Sequence, residues 1–170
     1  METLITPRLL LEPFTEEHFA DLHQLNSEPA VMRFLDGVRT PEQSRAELGR
    51  ILAAGAIPGL GGWAVRRRAD GVFIGRCGIK LATETAEHEL LYAYRQAYWG
   101  HGYAAESAAA VLRHTFSLGV PLVIACAVAE NTASLAVMRR IGMSFARCAQ
   151  MYGREMLVYQ ADRAADPDPR

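Results

Sequence analysis

The stretch from Leu122 to Val128 (Leu-Val-Ile-Ala-Cys-Ala-Val) is apolar at every position. A strand with no polar alternation has no face to give to water, so both of its faces must be covered. This points to a layered α/β arrangement, with a sheet between packed helices. The preceding segment supplies one cover. From Tyr103 to Leu118, the residues Ala104, Ala108, Val111, Leu112 and Thr115 keep the i, i+4, i+7, i+8, i+11 spacing of an amphipathic helix, and Gly119 and Pro121 stop it.

The remaining elements are read in the same way. Arg8 to Phe14 is a first strand, and Thr15 caps a helix carrying Phe19, Leu22 and Leu25. Thr40-Pro41-Glu42-Gln43 opens a second helix with a capping box and a proline at its first position, fading by Gly55. Gly55 to Gly62 is a loop. Gly62 to Arg68 and Val72 to Lys80 are strands joined by Ala69-Asp70-Gly71, a hairpin signal. Glu87 to Tyr94 is a strand with His88, Leu90, Tyr92 and Tyr94 on one face and Glu87, Glu89, Leu91 and Ala93 on the other. Asn131 or Thr132 caps a short helix ending at Gly142, and Ser144 to Gln150 pairs with Arg154 to Gln160 around Met151-Tyr152-Gly153. The order predicts a mixed α/β sheet with helices packed on it, in one domain over residues 1–160. The charged, proline-bearing residues 161–170 are expected to form a disordered tail.

Bulk properties narrow the function. The chain of 170 residues suits one domain, and its net charge of -1 provides no global field for nucleic acid or an anionic membrane. No apolar run approaches the ~20 residues of a membrane span. The first residues lack a basic segment followed by an apolar core, so no signal peptide is expected. Cys77, Cys126 and Cys148 are widely spaced and odd in number, which predicts free, mostly buried thiols and a cytoplasmic protein.

The chemistry-bearing segment is Trp99-Gly100-His101-Gly102-Tyr103-Ala104-Ala105-Glu106. Two glycines just before a helix let the backbone approach a ligand. The unpaired N–H groups and dipole of the first turn then suit a diphosphate. Glu106 conflicts with an adjacent phosphate, so its side chain is expected to turn away. The same residues also read as a plain glycine-rich helix start. They match the dinucleotide fingerprint formally through Gly100, Gly102 and Ala105, with Glu130 ending the next strand. Against that reading, Arg95 to Trp99 separate the strand from the glycines, and most of the chain precedes them. No Gly-Lys-Ser/Thr follows for a P-loop.

The segment resembles the acyl-coenzyme A signature of the GNAT superfamily, Gln/Arg-x-x-Gly-x-Gly/Ala, with Trp99 in place of Gln/Arg and Gly102 and Ala104 following. Tyr98 to Glu106 reproduces Tyr-Trp-Gly-x-Gly-Tyr-Ala-x-Glu, the phrase of the Rim-type branch of ribosomal-protein N-terminal acetyltransferases and their relatives. Thr6-Pro7-Arg8-Leu9, Ile74-Gly75-x-x-Gly78, and Asn131-x-x-Ser134 with Ile141-Gly142-Met143 resemble further stretches of that branch, although Met143 stands where Phe is usual. The resemblance runs from about Thr6 to Tyr159.

The resemblance implies the GNAT fold, a central, mostly antiparallel sheet with helices on both faces and a V-shaped split for acetyl-coenzyme A. The cosubstrate would pair with the backbone at Tyr92, Ala93 and Tyr94. It would set its diphosphate on Trp99, Gly100, His101, Gly102, Tyr103 and Ala104, and meet Asn131, Ser134 and Met138 on the last helix. Tyr92 and Tyr94 read equally as core residues, and Asn131 as a cap. Glu89 aligns with an acidic position of the branch and is the candidate base, with an exposed strand carboxylate as the alternative. Many members protonate the departing thiolate with a tyrosine where this chain has Met138. Ser134, one turn earlier on the same helix face, is the candidate to meet the sulfur, or else it is a local cap.

The implied reaction moves an acetyl group to a primary amine, on a protein N-terminus or a small molecule. The rival is a non-catalytic acyl-coenzyme A sensor. No nucleic-acid or membrane partner is expected, and the protein would be a monomer or homodimer. His18, His23, His88, His101 and His114 lack metal-ligand spacing, so no metal is expected. Arg66-Arg67-Arg68 reads as a solvated face. Phe34 to Val38, Gly55 to Gly62, Leu81 to Ala86 and Met151 to Gly153 are the expected substrate loops, with Phe34 and Leu35 as an apolar wall.

Overall fold

In the computed structural model, residues 1–163 are described. Eight strands form one sheet: β1 Leu4–Ile5, β2 Leu9–Pro13, β3 Gly61–Arg67, β4 Phe73–Leu81, β5 His88–Tyr94, β6 Leu122–Ala127, β7 Ser144–Met151 and β8 Arg154–Asp162. Their spatial order is β1-β2-β3-β4-β5-β6-β8-β7. Every neighbouring pair is antiparallel except β5 and β6. The helices are α1 Phe19–Asn26, α2 Pro29–Met32, α3 Pro41–Ala54, α4 Tyr103–Ser117 and α5 Thr132–Arg140.

The apolar β6 is covered on both faces, as its composition requires. Val123 and Ala125 join a core that includes Ala108, Val111, Leu112 and Phe116 of α4. Ile124 points the other way, to Ala82, Met151 and Val158. Val123 and Ile124, both fully buried, each contribute about 1.5–3 kcal/mol. On the second face of the sheet, Leu22 and Leu25 of α1 and Leu48 of α3 pack over Ala64, Phe73 and Ala93. The alternation read in β5 holds: Leu90 and Tyr94 face the α4 core, whereas Ala93 faces α1 and α3. Gly75 and Gly78 mark close strand approach, since a Cβ on either would meet neighbouring backbone at 2.4 Å.

Several expectations shift. The short β1 and α2 were not anticipated, since two and four residues are too few to show a period. Thr15 caps a 3-10 turn, Glu16–His18, that precedes α1. The Thr40 capping box of α3 forms as read, with Gln43 N–H donating to Thr40 Oγ1 at 3.2 Å. β8 continues through Asp162, so Ala161 and Asp162 pair with Val123 and Leu122 and are no tail. Arg163 N–H donates to the Pro121 carbonyl at 3.0 Å, and the remainder of the expected tail, residues 164–170, lies outside the described residues. Of the three free cysteines only Cys77 is buried; Cys126 is half-buried and Cys148 exposed, because β7 is an edge strand. The arginine run is an ion-pair cluster rather than a freely solvated face. Arg66 bridges Glu12 and Asp21, Arg67 pairs with Asp70, and Arg68 donates to the carbonyl oxygens of Thr6 and Pro7.

Candidate active site

β5 and β6 run parallel but pair at one point, Glu89 with Ile124. Beyond it they part, leaving the β5 edge from Leu90 to Tyr94 without a strand partner on that side. The gap opens into a cleft of about 1080 Å³ that reaches both faces of the sheet. The mostly antiparallel sheet, with β5 and β6 its one parallel pair, also removes the dinucleotide reading, which requires a mostly parallel doubly wound sheet.

One end of the cleft is the start of α4. Gly100 and Gly102 have φ of +78° and +79°, a region costly for any residue with a Cβ. The first helical bond runs from Glu106 N–H to Gly102 C=O at 3.1 Å. The N–H groups from Gly100 to Ala105 have no acceptor among the described residues. They form a ready anion site. Glu106 turns away from it, as expected. Its Oε1 accepts from Thr6 Oγ1 at 2.6 Å and Arg8 N–H at 2.9 Å, and its Oε2 from Arg8 Nε at 2.6 Å. Burial pushes this carboxyl upward, but the Thr6 and Arg8 hydrogen bonds and the Arg8 charge hold it below the usual carboxylate range. Arg8 therefore neutralises the one acid in the first turn of α4, which explains the Thr-Pro-Arg opening.

The middle of the cleft carries two chemical groups. Ser134, on the first turn of α5, has its Oγ 2.9 Å from the Tyr92 hydroxyl, which also reaches the Ser134 carbonyl at 3.1 Å. Burial pushes the Tyr92 hydroxyl up to about 12, so it stays protonated at neutral pH. Asn131 caps α5, its Oδ1 accepting from Ser134 N–H at 3.2 Å. On the other face Glu89 is only 5% exposed, not the solvated strand carboxylate that was the alternative. It accepts from the Tyr152 hydroxyl and from Cys126 Sγ at 3.1 Å, and Lys80 Nζ lies 3.4 Å away. Burial, and then the hydrogen bond to Glu89, push the Tyr152 hydroxyl up, so it too remains a donor.

A model of the family described as "Acetyltransferase (GNAT) domain" matches residues 8–144. The chain belongs to the GNAT acetyltransferase family. It is 27% identical over 92% of its length to the uncharacterized protein YkkB of Bacillus subtilis, covering 94% of that protein. An acetyltransferase structure from Agrobacterium tumefaciens superposes with a TM-score of 0.84 at 28% identity, covering 95% of this chain and 94% of that one. The RimL ribosomal L7/L12 alpha-N-protein acetyltransferase, solved with coenzyme A, has the same fold, with a TM-score of 0.82 at 20% identity over 97% of this chain and all of that one. The eight-stranded sheet with helices on both faces is thus the GNAT fold.

Against this family frame, all the expected cofactor residues except His101 line the cleft. The His101 ring stacks on Tyr103 at 5.6 Å, with Nδ1 2.8 Å from the Trp99 carbonyl, because Gly102 turns the chain sharply after it. Trp99 is 48% exposed, and its indole N–H donates to the Tyr94 carbonyl at 2.6 Å. That carbonyl is therefore already satisfied, and Trp99 pins the glycine loop to the end of β5. Met138 is 1% exposed and packed in the α4 core, so it offers the cleft little more than a wall. Tyr94 is a core residue: its hydroxyl hydrogen-bonds Ser107 Oγ, and burial holds it well above the usual tyrosine range.

The expected substrate loops all reach the cleft. Phe34, Leu35, Gly61, Thr83 and Tyr152 are on its wall. Sequence reasoning placed Tyr152 in a substrate loop and Arg8 in the Thr-Pro-Arg opening, but missed their contacts with Glu89 and Glu106. Tyr152 occupies a hairpin turn with φ +54°, and only its conformation distinguishes it from an ordinary turn residue. Among the described residues, no group of three or more His, Cys, Asp and Glu side chains is placed to hold a metal ion. Among the described residues no helix is long and apolar enough to cross a membrane.

Proposed function

We propose that this GNAT acetyltransferase transfers acetyl from acetyl-coenzyme A to a primary amine by direct attack within the cleft. The observation that carries the reading is the parting of β5 from β6 at Glu89 and Ile124. It joins an anion site at the start of α4 to a buried carboxylate through one continuous cleft. The free N–H groups from Gly100 to Ala105 fit a diphosphate, and the unpartnered β5 edge fits the amides of a pantetheine arm. Acetyl-coenzyme A supplies the activated thioester.

The chain's own residues supply the rest. Glu89 accepts a proton from the amine, directly or through water. Tyr152 and Cys126 donate to its two carboxylate oxygens and hold it in one orientation. The Ser134 hydroxyl, backed by the protonated Tyr92, donates to the sulfur that leaves as thiolate. A protonated tyrosine reaching Ser134 from β5 stands in for the tyrosine that Met138 replaces. Backbone N–H groups along the β5 edge polarise the carbonyl as charge develops on its oxygen. The coenzyme A complex of the RimL neighbour supports the cosubstrate, and its activity on a protein α-amine supports a primary amine as acceptor.

The test is turnover. Purified protein with acetyl-coenzyme A and a panel of primary amines releases free thiol, and Glu89→Gln abolishes most of that release. Tight binding of acetyl-coenzyme A with no turnover on any amine would favour the sensor reading.

A further inference from the structure

The cleft is also rich in guanidinium groups. Arg33, Arg39 and Arg50 come from the α2–α3 segment, Arg76 from β4 and Arg154 from the start of β8, and all five line the cleft. The acids lining the same cleft are Asp36, Glu47 and the more distant Glu89, which Lys80, Tyr152 and Cys126 already engage. Asp36 is taken by Arg154 at 2.7 Å. Glu47 is shared: Arg76 Nη1 binds its Oε1, while Arg39 Nε lies 3.2 Å from its Oε2 and Asn26 Nδ2 donates to that oxygen at 2.8 Å. The chain as a whole is close to neutral, so this is a local excess and not a reflection of composition.

A single carboxylate cannot neutralise two guanidinium groups. Arg76 is 8% exposed, and its Nε is buried without a hydrogen-bond partner, whereas Arg39 Nε meets Glu47 Oε2 as an ion pair without a well-formed hydrogen bond. The Arg39 side chain keeps a quarter of its surface exposed. A planar guanidinium fork left short of acceptors is suited to a carboxylate, which binds it through two parallel hydrogen bonds. The register fixes where this lies relative to the base. Lys80 pairs with Glu89 and Arg76 with Ala93, so the base and the arginines share one sheet face, separated by four residues of strand, or ~13 Å along it.

We propose that this arginine cluster binds an anionic group of the acceptor, so that the substrates are primary amines that also carry a carboxylate. The amine end rests on the acetyltransferase reading above, whereas the anion end rests on the arginines alone. The carboxylate comes from a free amino acid or from an acidic residue near a peptide N-terminus.

Two matched pairs distinguish the sources: L-serine against L-serinamide, and Ser-Asp-amide against Ser-Asn-amide. Each compound is titrated calorimetrically into protein saturated with coenzyme A. The expected result is at least tenfold tighter binding of the anionic member of one pair, with that preference lost in the Arg39→Gln/Arg50→Gln variant. Coenzyme A affinity and thermal melting of the variant show that it is folded. Equal binding within both pairs, or a preference unchanged in the variant, overturns the proposal. Turnover is read separately with acetyl-coenzyme A. Selective binding without turnover supports the anion site and refutes the acetyltransferase reading, and turnover without selectivity does the reverse.

Discussion

Replacing Glu89 with Gln tests the centre of the mechanism, because it preserves shape while removing one charge. The wild-type carboxylate receives two donors, Tyr152 Oη on Oε2 and Cys126 Sγ on Oε1, with Lys80 Nζ at 3.4 Å. An amide presents one acceptor and one donor in their place. One charge-assisted hydrogen bond is lost, costing about 1.5–3 kcal/mol. The Lys80 charge adds little, since its side chain is 41% exposed and can be solvated. A loss of about 2 kcal/mol lowers the melting temperature by roughly 4–8 °C for a chain of this size. The protein therefore stays folded at 25 °C. Its catalytic loss is larger, since general-base catalysis contributes about 10²–10⁴-fold. Free coenzyme A release under saturating acetyl-coenzyme A should show kcat reduced by about that factor, with KM for acetyl-coenzyme A unchanged. Melting followed by circular dichroism gives the stability arm. A folded Glu89→Gln protein with kcat within threefold of wild type would refute Glu89 as the base.

Four further outcomes are expected. Tyr152→Phe leaves the base without its phenol donor; kcat should fall about tenfold with the acetyl-coenzyme A affinity intact, as a loss of one neutral-to-charged hydrogen bond of about 1.5 kcal/mol predicts. Ser134→Ala and Tyr92→Phe should each lower kcat about tenfold, and the double variant should be little worse than either, because the two hydroxyls act as one unit. Gly102→Glu should weaken acetyl-coenzyme A binding more than tenfold by calorimetry, since it places a like charge at the diphosphate site and strains a residue at φ +79°. Burial pushes the Glu47 carboxyl upward, but Arg76 and Arg39 and their hydrogen-bonding neighbours outweigh it and hold it below the usual range. Its stabilising effect is therefore full above the unfolded carboxyl value near ~4.3 and lost as pH falls through the lower folded value. Denaturant titrations from pH 6 to pH 3 should show a decline that is shallower in Glu47→Gln, which starts about 3–5 kcal/mol less stable.

Much of this was legible without coordinates. The period of α4, the Thr40 capping box and the two-faced burial of β6 follow from residues close in sequence, so local physics specifies them. The glycine loop was equally legible. Gly100 and Gly102 adopt the positive φ that their residue type permits, and Glu106 turns away from the first turn of α4 to Arg8. The edges were harder. β1 and α2 are too short to show a period, and the reach of β8 to Asp162 depends on pairing with β6 rather than on composition.

Residues alone were enough for the layered α/β class, the helix starts, the glycine loop before α4 and the choice of Glu89 and Ser134 as candidates. What those side chains meet is set by the fold. Tyr152 reaches Glu89 across 63 residues, Tyr92 reaches Ser134 across 42, and Arg76 reaches Glu47 across 29. Each contact depends on strand order and register, and a one-residue slip in register would turn those side chains to the opposite face of the sheet. Local periodicity says which face a residue occupies. It carries no information about which distant element lies above that face, and in this protein that juxtaposition creates the chemistry.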